Sequence, residues 1–206
     1  MNKTKRKILD AGLLLFNEYG LSNVSQRKIS DYLGISPGNL TYHFKKKEAI
    51  EEALYFELVV MIRDEYKKME LNAVSLSNLT AFVHRFFALI YEYRFVFLDI
   101  VHIMRTNEII AAHYRQLIIS RKMQFLETIE HFIASDLFRA AELPDEYAFL
   151  YKRVQIIFDF YLSSIEISEK GVNKTHIDRH TTIFLYAVYP YLSAKGKEQF
   201  FELLPK

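Results

Sequence analysis

Residues 33–50 read LGISPGNLTYHFKKKEAI, a stretch whose side chains bind rather than transform. Asn39, Thr41, Tyr42 and His43 are hydrogen-bonding groups, and Lys45, Lys46 and Lys47 follow where a long helical pattern begins. The lysines pose a conflict, because a helix N-terminus carries partial positive charge and prefers anions. An external phosphate resolves it by meeting both the ammonium groups and the free backbone N–H groups. Asn39 suits an adenine edge and Thr41 a thymine methyl, while Tyr42 and His43 can reach phosphate or base. Double-stranded DNA is the partner these types fit. Arg27 and Lys28 could hold its backbone from a preceding helix, and Lys3, Lys5, Arg6 and Lys7 from a mobile arm. Such contacts supply affinity and salt dependence rather than sequence choice. The candidate DNA contacts are Ser25, Arg27, Lys28, Pro37, Gly38, Asn39, Thr41, Tyr42, His43 and Lys47, with Lys47 foremost. The plainer alternative is a packed Tyr42, a surface His43 and a solvated lysine loop.

Other chemistry is weakly signalled. His176 and His180, in HIDRH, have the i, i+4 spacing of two metal ligands on one helix face. Ile177 stands where the H-E-x-x-H zinc motif needs its glutamate, so an exposed face is expected and no metal. There is no Gly-rich phosphate loop, no G-x-S-x-G and no obvious carboxylate pair, so neither an enzyme nor a cofactor is expected. Of 31 Phe and Tyr residues, five lie in the first fifty, which leaves 26 for the body. That bulk could fill a core or line a cavity for a small apolar or aromatic effector. The candidate lining is Phe86, Phe97, His102, Arg105, Tyr114, Phe158 and Tyr161. Asp99 and His102, three residues apart, could instead simply pair.

These groups must be positioned by helices. The chain of 206 residues is half apolar and a quarter charged, which suits a large core and not disorder. It has no cysteine, which excludes disulfides, thiolate metal sites and cysteine nucleophiles, and fits a reducing cytoplasm. The net charge of +2 is uneven: residues 1–50 hold nine basic and four acidic residues, the remainder eighteen and twenty-one. Only the basic head is suited to a polyanion. No apolar run approaches the ~18 residues of a membrane span. The basic, apolar start resembles a secretory signal but is interrupted by Asp10 and lacks a small-residue cleavage site, so none is expected.

Spacing and punctuation predict an all-α chain. A first helix should run over Lys3–Tyr19, stopped by Gly20. Ser25 should cap a second over Gln26–Leu33. Gly34 then turns the chain, and Ser36 with Pro37 should open a short third helix over residues 37–44. Ile29, Leu33, Ile35, Leu40 and Phe44 form the inner apolar set, with Ser30 small at the crossing. This is a helix-turn-helix plan. A fourth helix should run from residue 47 to about residue 72. Body helices follow from three periodic sets: Leu79, Phe82, Val83, Phe86, Ile90 and Phe97; Tyr114, Leu117, Ile118, Phe125, Ile129 and Phe132; and Tyr147, Leu150, Tyr151, Val154, Ile157, Phe158, Tyr161 and Ile165. The helix of the third body set has a second apolar row, Phe149, Ile156, Phe160 and Ile167, which needs a cover, most economically a second subunit. The last helix, around residues 176–192, should bend or end at Pro190. The candidate dimer interface is Phe149, Arg153, Ile156, Phe160, Phe184 and Val188.

The stretches ILDAGLLLFNEYG, VSQRKIS and LGISPGNLTYHFKKKEAI together resemble the TetR family of bacterial transcriptional regulators. Thr41 stands where the family often has tyrosine, and Ser30 where it often has alanine. The resemblance covers about the first fifty residues. It implies an all-α homodimer with a DNA-binding domain over residues 1–48 and a ligand-binding and dimerisation domain over residues 49–206. The family's eighth and ninth helices usually build the dimer interface. The expected function is a ligand-responsive, cytoplasmic DNA-binding regulator, a repressor by preference, on a near-palindromic operator. The alternatives are an architectural, sequence-tolerant DNA binder of the same fold without an inducer, and an all-α enzyme.

Overall fold

The computed structural model describes residues 3–169 and 171–203. The helices are α1 Lys3–Tyr19, α2 Gln26–Leu33, α3 Pro37–His43, α4 Lys47–Glu70, α5 Leu76–Glu92, α6 Arg94–Leu98, α7 Ile100–Thr106, α8 Glu108–Ala134, α9 Glu146–Glu169, α10 Thr175–Val188 and α11 Ala194–Leu203. Among the described residues there is no strand, only an isolated antiparallel bridge between Phe138 and Leu192. No described helix is long and apolar enough to cross a membrane.

Packing divides the chain into two compact units, residues 1–61 with 92–113, and residues 62–91 with 114–206. In the first, α1 buries Ile8, Leu9, Ala11, Leu15 and Phe16, and α2 and α3 add Ile29 and Leu40. Leu33 and Ile35 are half-buried at the turn. A Cβ on Gly12 would come 2.9 Å from the Ile50 side chain, so a larger residue would push α1 off α4. Residues 92–113 join this unit, so its packing boundary differs from a cut after residue 48.

The apolar spacing that joined Phe97 to α5 crosses a break: α5 ends at Glu92, and Tyr93 separates it from α6. The Asn17 amide donates to the Glu92 carbonyl at 2.7 Å, and its oxygen accepts the Phe95 N–H at 3.0 Å. A side chain of α1 thus satisfies backbone groups that a broken helix would otherwise leave unpaired. Asp99 does not pair with His102. Its carboxylate accepts the Leu21 N–H at 2.9 Å, just past α1.

In the second unit, α8 and α9 are joined by a loop held by Arg139. Its guanidinium donates to both oxygens of Glu146, at 2.7 and 3.0 Å. Glu146 opens α9 and also accepts the Glu142 N–H at 2.7 Å. These hydrogen bonds, the guanidinium's first, hold the Glu146 carboxyl down to about 2. The Arg139 N–H donates to the Tyr191 carbonyl at 2.9 Å, which ties the same loop to the turn after α10. Pro190 ends α10 in that turn, as its missing N–H predicts.

Candidate nucleic-acid interface and body sites

Local signals build the helix-turn-helix. The Ser25 hydroxyl accepts the Lys28 N–H at 3.2 Å, and that of Ser36 accepts the Asn39 N–H at 3.1 Å, so each cap satisfies one free donor of its helix. Gly34 adopts φ 65°, a left-handed turn that a Cβ would strain. The turn closes with the Ile35 N–H on the Ser30 carbonyl at 3.1 Å. Ser30 is fully buried, its hydroxyl turned back to the Arg27 carbonyl at 2.9 Å. Gln26, unremarked in the sequence, donates its amide to the Phe44 carbonyl at 2.7 Å and so ties the start of α2 to the end of α3. Nothing in the local pattern distinguishes that glutamine from a solvated one.

With Leu40 buried, α3 presents Pro37, Gly38, Asn39, Thr41 and Tyr42 to solvent, with His43 half-exposed. Tyr42 is 85% exposed, so it is not a packed aromatic, and its ring meets His43 edge-on at 5.1 Å. This face offers an amide, two hydroxyls and an imidazole over one helix of seven residues. Ser25 and Arg27 are exposed beside it. The Lys28 ammonium lies 3.3 Å from the centre of the Tyr19 ring.

The lysines divide. Lys45 and Lys46 are exposed, Lys46 within 4.0 Å of Glu52. Lys47 begins α4 as expected, but its ammonium already donates to the Leu21 carbonyl at 2.9 Å. It therefore braces the turn between α1 and α2 as well as standing at the helix N-terminus. One turn on, burial pushes the Glu51 carboxyl up to about 7 against the pull of Lys47. The Asn107 amide donates to Glu51 at 3.4 Å. The expected mobile arm is helical from Lys3. Arg6 is held by Asp10 at 2.7 Å and Glu57 at 2.5 Å, and Lys5 lies over the Phe44 ring at 5.2 Å. Residues 1 and 2 lie outside the described residues.

The body residues sort differently from expectation. Phe86, Phe158 and Tyr161 share one unit, with Phe86 and Phe158 centroids 4.7 Å apart. Phe87, Phe184 and His180 complete that cluster, and sequence spacing had not joined them to it. Tyr114 instead donates its hydroxyl to the buried Asp159 at 2.5 Å. Phe97 is buried in the first unit, while His102 and Arg105 are exposed on α7 in that same unit. His176 and His180 do not form an exposed face: both are buried. His176 accepts the Asn173 N–H at 3.0 Å and faces Glu169 at 3.3 Å, while His180 stacks on Phe87. Among the described residues no group of three or more His, Cys, Asp or Glu could hold a metal ion.

The two faces of α9 also separate. Leu150, Val154, Leu162 and Ile165 are buried, whereas Phe149, Ile156, Phe160 and Ile167 are 66, 49, 44 and 85% exposed. Arg153 is exposed between them and donates to the Tyr191 hydroxyl. Phe184 and Val188, expected on the same interface, are 3 and 2% exposed and belong to the core of their own unit. They point inward because α10 turns its apolar face to α9, and Tyr186 is the aromatic it leaves outside. α8 also leaves Ile119 and Met123 in water.

A capped helix-turn-helix with a polar outer face, on a chain otherwise built of helices, defines a helix-turn-helix DNA-binding transcriptional regulator. A family model described as a bacterial transcriptional repressor, TetR, matches residues 59–200, and one described as bacterial regulatory proteins, tetR family, matches residues 8–54. The chain belongs to the TetR family of bacterial transcriptional repressors. It is 35% identical over 60 residues to the class D tetracycline repressor protein of Escherichia coli. The class H tetracycline repressor protein of Photobacterium damsela subsp. piscicida matches to the same extent. The matched stretch is 29% of this chain and only 28% of each relative. The fold is similar to that of a TetR-family transcriptional regulator from Marinobacter aquaeolei VT8, with a TM-score of 0.89 at 22% identity, covering 98% of this chain and 97% of that one. It is also similar to the ketosteroid transcriptional regulator KstR2 of Mycobacterium tuberculosis, with a TM-score of 0.70 at 17% identity, covering 94 and 96%.

Proposed function

We propose that the protein is a homodimeric repressor that reads a near-palindromic operator through α3 and releases it when a small apolar or aromatic effector binds the body. The observation that carries the DNA half is the face of α3, where Asn39, Thr41 and Tyr42 are exposed on a helix fixed by the Ser36 cap and the Gly34 turn. Asn39 reads a base edge, and Arg27, Lys28 and Lys47 hold phosphates. The open apolar row of α9 supports the dimer. Two recognition helices on a symmetric dimer need half-sites about one DNA turn apart, roughly 34–36 Å, or a multiple. An effector acts by favouring one spacing of the heads, and the coupling is reciprocal: operator weakens the effector by the factor by which effector weakens operator.

The test is to incubate the purified protein with random duplex DNA at near-physiological salt and to sequence what it retains. A near-palindrome is expected. Retention without any common sequence would replace this reading with an architectural one, and failure of well-folded protein to retain DNA would overturn it.

A further inference from the structure

Glu51 places a carboxyl in a core position. It is 3% exposed on α4, beside the buried Ile50 and Leu54. A carboxylate out of water is stable when a cation or several hydrogen bonds replace its hydration. Glu51 has little of either. The cation acting on it is Lys47, one turn earlier, whose ammonium donates instead to the Leu21 carbonyl at 2.9 Å. The Asn107 amide donates to Glu51 at 3.4 Å, and the same nitrogen lies 3.4 Å from a Glu52 oxygen. The Asn107 oxygen is taken by the Ile110 N–H at 3.2 Å, in the first turn of α8. One neutral donor thus serves two adjacent carboxyls.

The surrounding charges do not relieve Glu51. On α4, Glu48 and Glu52 repel a further negative charge, and Lys46 lies 4.0 Å from Glu52. α1 packs on the same stretch through Gly12 and Ile50, and its Arg6 pairs with Asp10 and Glu57. The facing junction of α7 and α8 supplies the neutral Asn107 and then the exposed, acidic Glu108. All these residues belong to one compact unit. Burial outweighs the attraction of Lys47 and, with the two neighbouring glutamates, raises the Glu51 carboxyl from its ordinary 4.5 to about 7.

Position gives that proton a consequence. Residues 47 and 51 are one turn apart on the same face of α4. A phosphate held by Lys47 at the helix start would lie on the order of 10 Å from the Glu51 carboxyl. At that range, with an effective dielectric constant of about 20 and ionic screening, one negative charge changes affinity about fivefold.

We infer that Glu51 links proton binding to DNA binding: neutral, it leaves the charge of Lys47 whole for phosphate, and ionised, it opposes the phosphate. This rests on the reading that the start of α4 meets DNA. The phosphate in turn favours the proton, so each head takes up protons as it binds. Because the coupling acts on the DNA backbone, base preference stays the same at every pH.

The test measures the affinity of the full-length protein for a labelled random-sequence duplex at fixed low salt, from about pH 6 to about pH 8.5. The parent should weaken with rising pH by about fivefold more, for each head engaged, than Glu51→Gln, which mimics the neutral carboxyl. Every other titrating group, His43 on α3 included, is common to both proteins, so the difference reports Glu51. Glu51→Met should lose the same slope, which guards against a fault peculiar to glutamine. Melting without DNA gives a second reading. The Glu51 carboxyl is raised in the folded state, so its unfolded form gives up the proton first, and parent stability falls as pH rises from about 4.5 through about 7. Glu51→Gln should therefore melt higher than the parent at alkaline pH and not at acid pH. Equal pH slopes in the parent and both variants, or no such gap in melting, would overturn the inference and leave DNA binding in place. No duplex bound at any pH would remove the regulator reading and the inference with it.

Discussion

α3 and α9 each leave side chains in water, with opposite chemistry. On α3 these are Asn39, Thr41 and Tyr42; on α9 they are Phe149, Ile156, Phe160 and Ile167. Water satisfies the first set fully, so α3 needs no cover, and under the proposed function a base edge would replace that water. The second set is unfavourable in water by roughly 25 cal/mol for each Å² of apolar surface left uncovered. The α9 row therefore asks for a covering surface in a way that α3 does not. The two helices are also held differently. α3 has seven residues, too short to be stable in isolation, and depends on the Ser36 cap, Leu40 and the Gln26 bond to its end. α9 has twenty-four residues and a complete buried row of its own. The exposed polar face sits on a short, locally capped element; the exposed apolar one sits on a long element that its own core already secures.

The sharpest break of this contrast is charge on the α9 row. Ile156→Glu with Phe160→Glu should convert the proposed dimer to monomer in sedimentation, with dimer dissociation raised by more than about a hundredfold. The helical spectrum should be unchanged, because both residues are outside the core. A dimer of undiminished strength would show that another surface, such as Ile119 and Met123 of α8, makes the contact.

A smaller effect is expected on the polar face. Asn39→Ala should cost about 1–3 kcal/mol of discrimination at one base pair, read as relaxed preference at that position in selected DNA. The dimer should remain intact.

The start of α9 can be probed by acid. Glu146 has its carboxyl depressed in the folded state, so its stabilising contribution is present above the ordinary range near 4.5 and is lost as pH falls toward about 2. Melting temperature should fall across that window, and Glu146→Gln should flatten the fall while lowering stability at pH 7.

The smallest effect belongs to Lys47→Ala. It should weaken all DNA sequences about equally and reduce the salt slope by about one. Because Lys47 also holds the Leu21 carbonyl, its loss should lower the melting temperature by a few degrees as well. A change in base preference would mean that Lys47 reads sequence.

The head was the more legible half. Ser25, Gly34, Ser36 and Pro37 act within a few residues of themselves, so α2 begins and ends, and α3 begins, where these caps and turns predict. The two rows of α9 were legible for a related reason, since helical periodicity states which residues share a face. The same periodicity misplaced Phe184 and Val188, because it cannot say which apolar face meets its own core and which meets water. It also ran through the break at Tyr93, where relief comes from Asn17, more than seventy residues away in the chain. Gln26 was missed because a side chain that bonds a distant carbonyl has no local signature.

Sequence alone determined the helical class, the helix-turn-helix and the doubly apolar α9, because capping, turn formation and periodicity are short-range. Tertiary structure alone decided that Lys47 braces the Leu21 carbonyl and that His180 lies neutral against Phe87. Both outcomes depend on which distant groups share the interior, since burial and hydrogen bonding there are set by neighbours in space rather than along the chain.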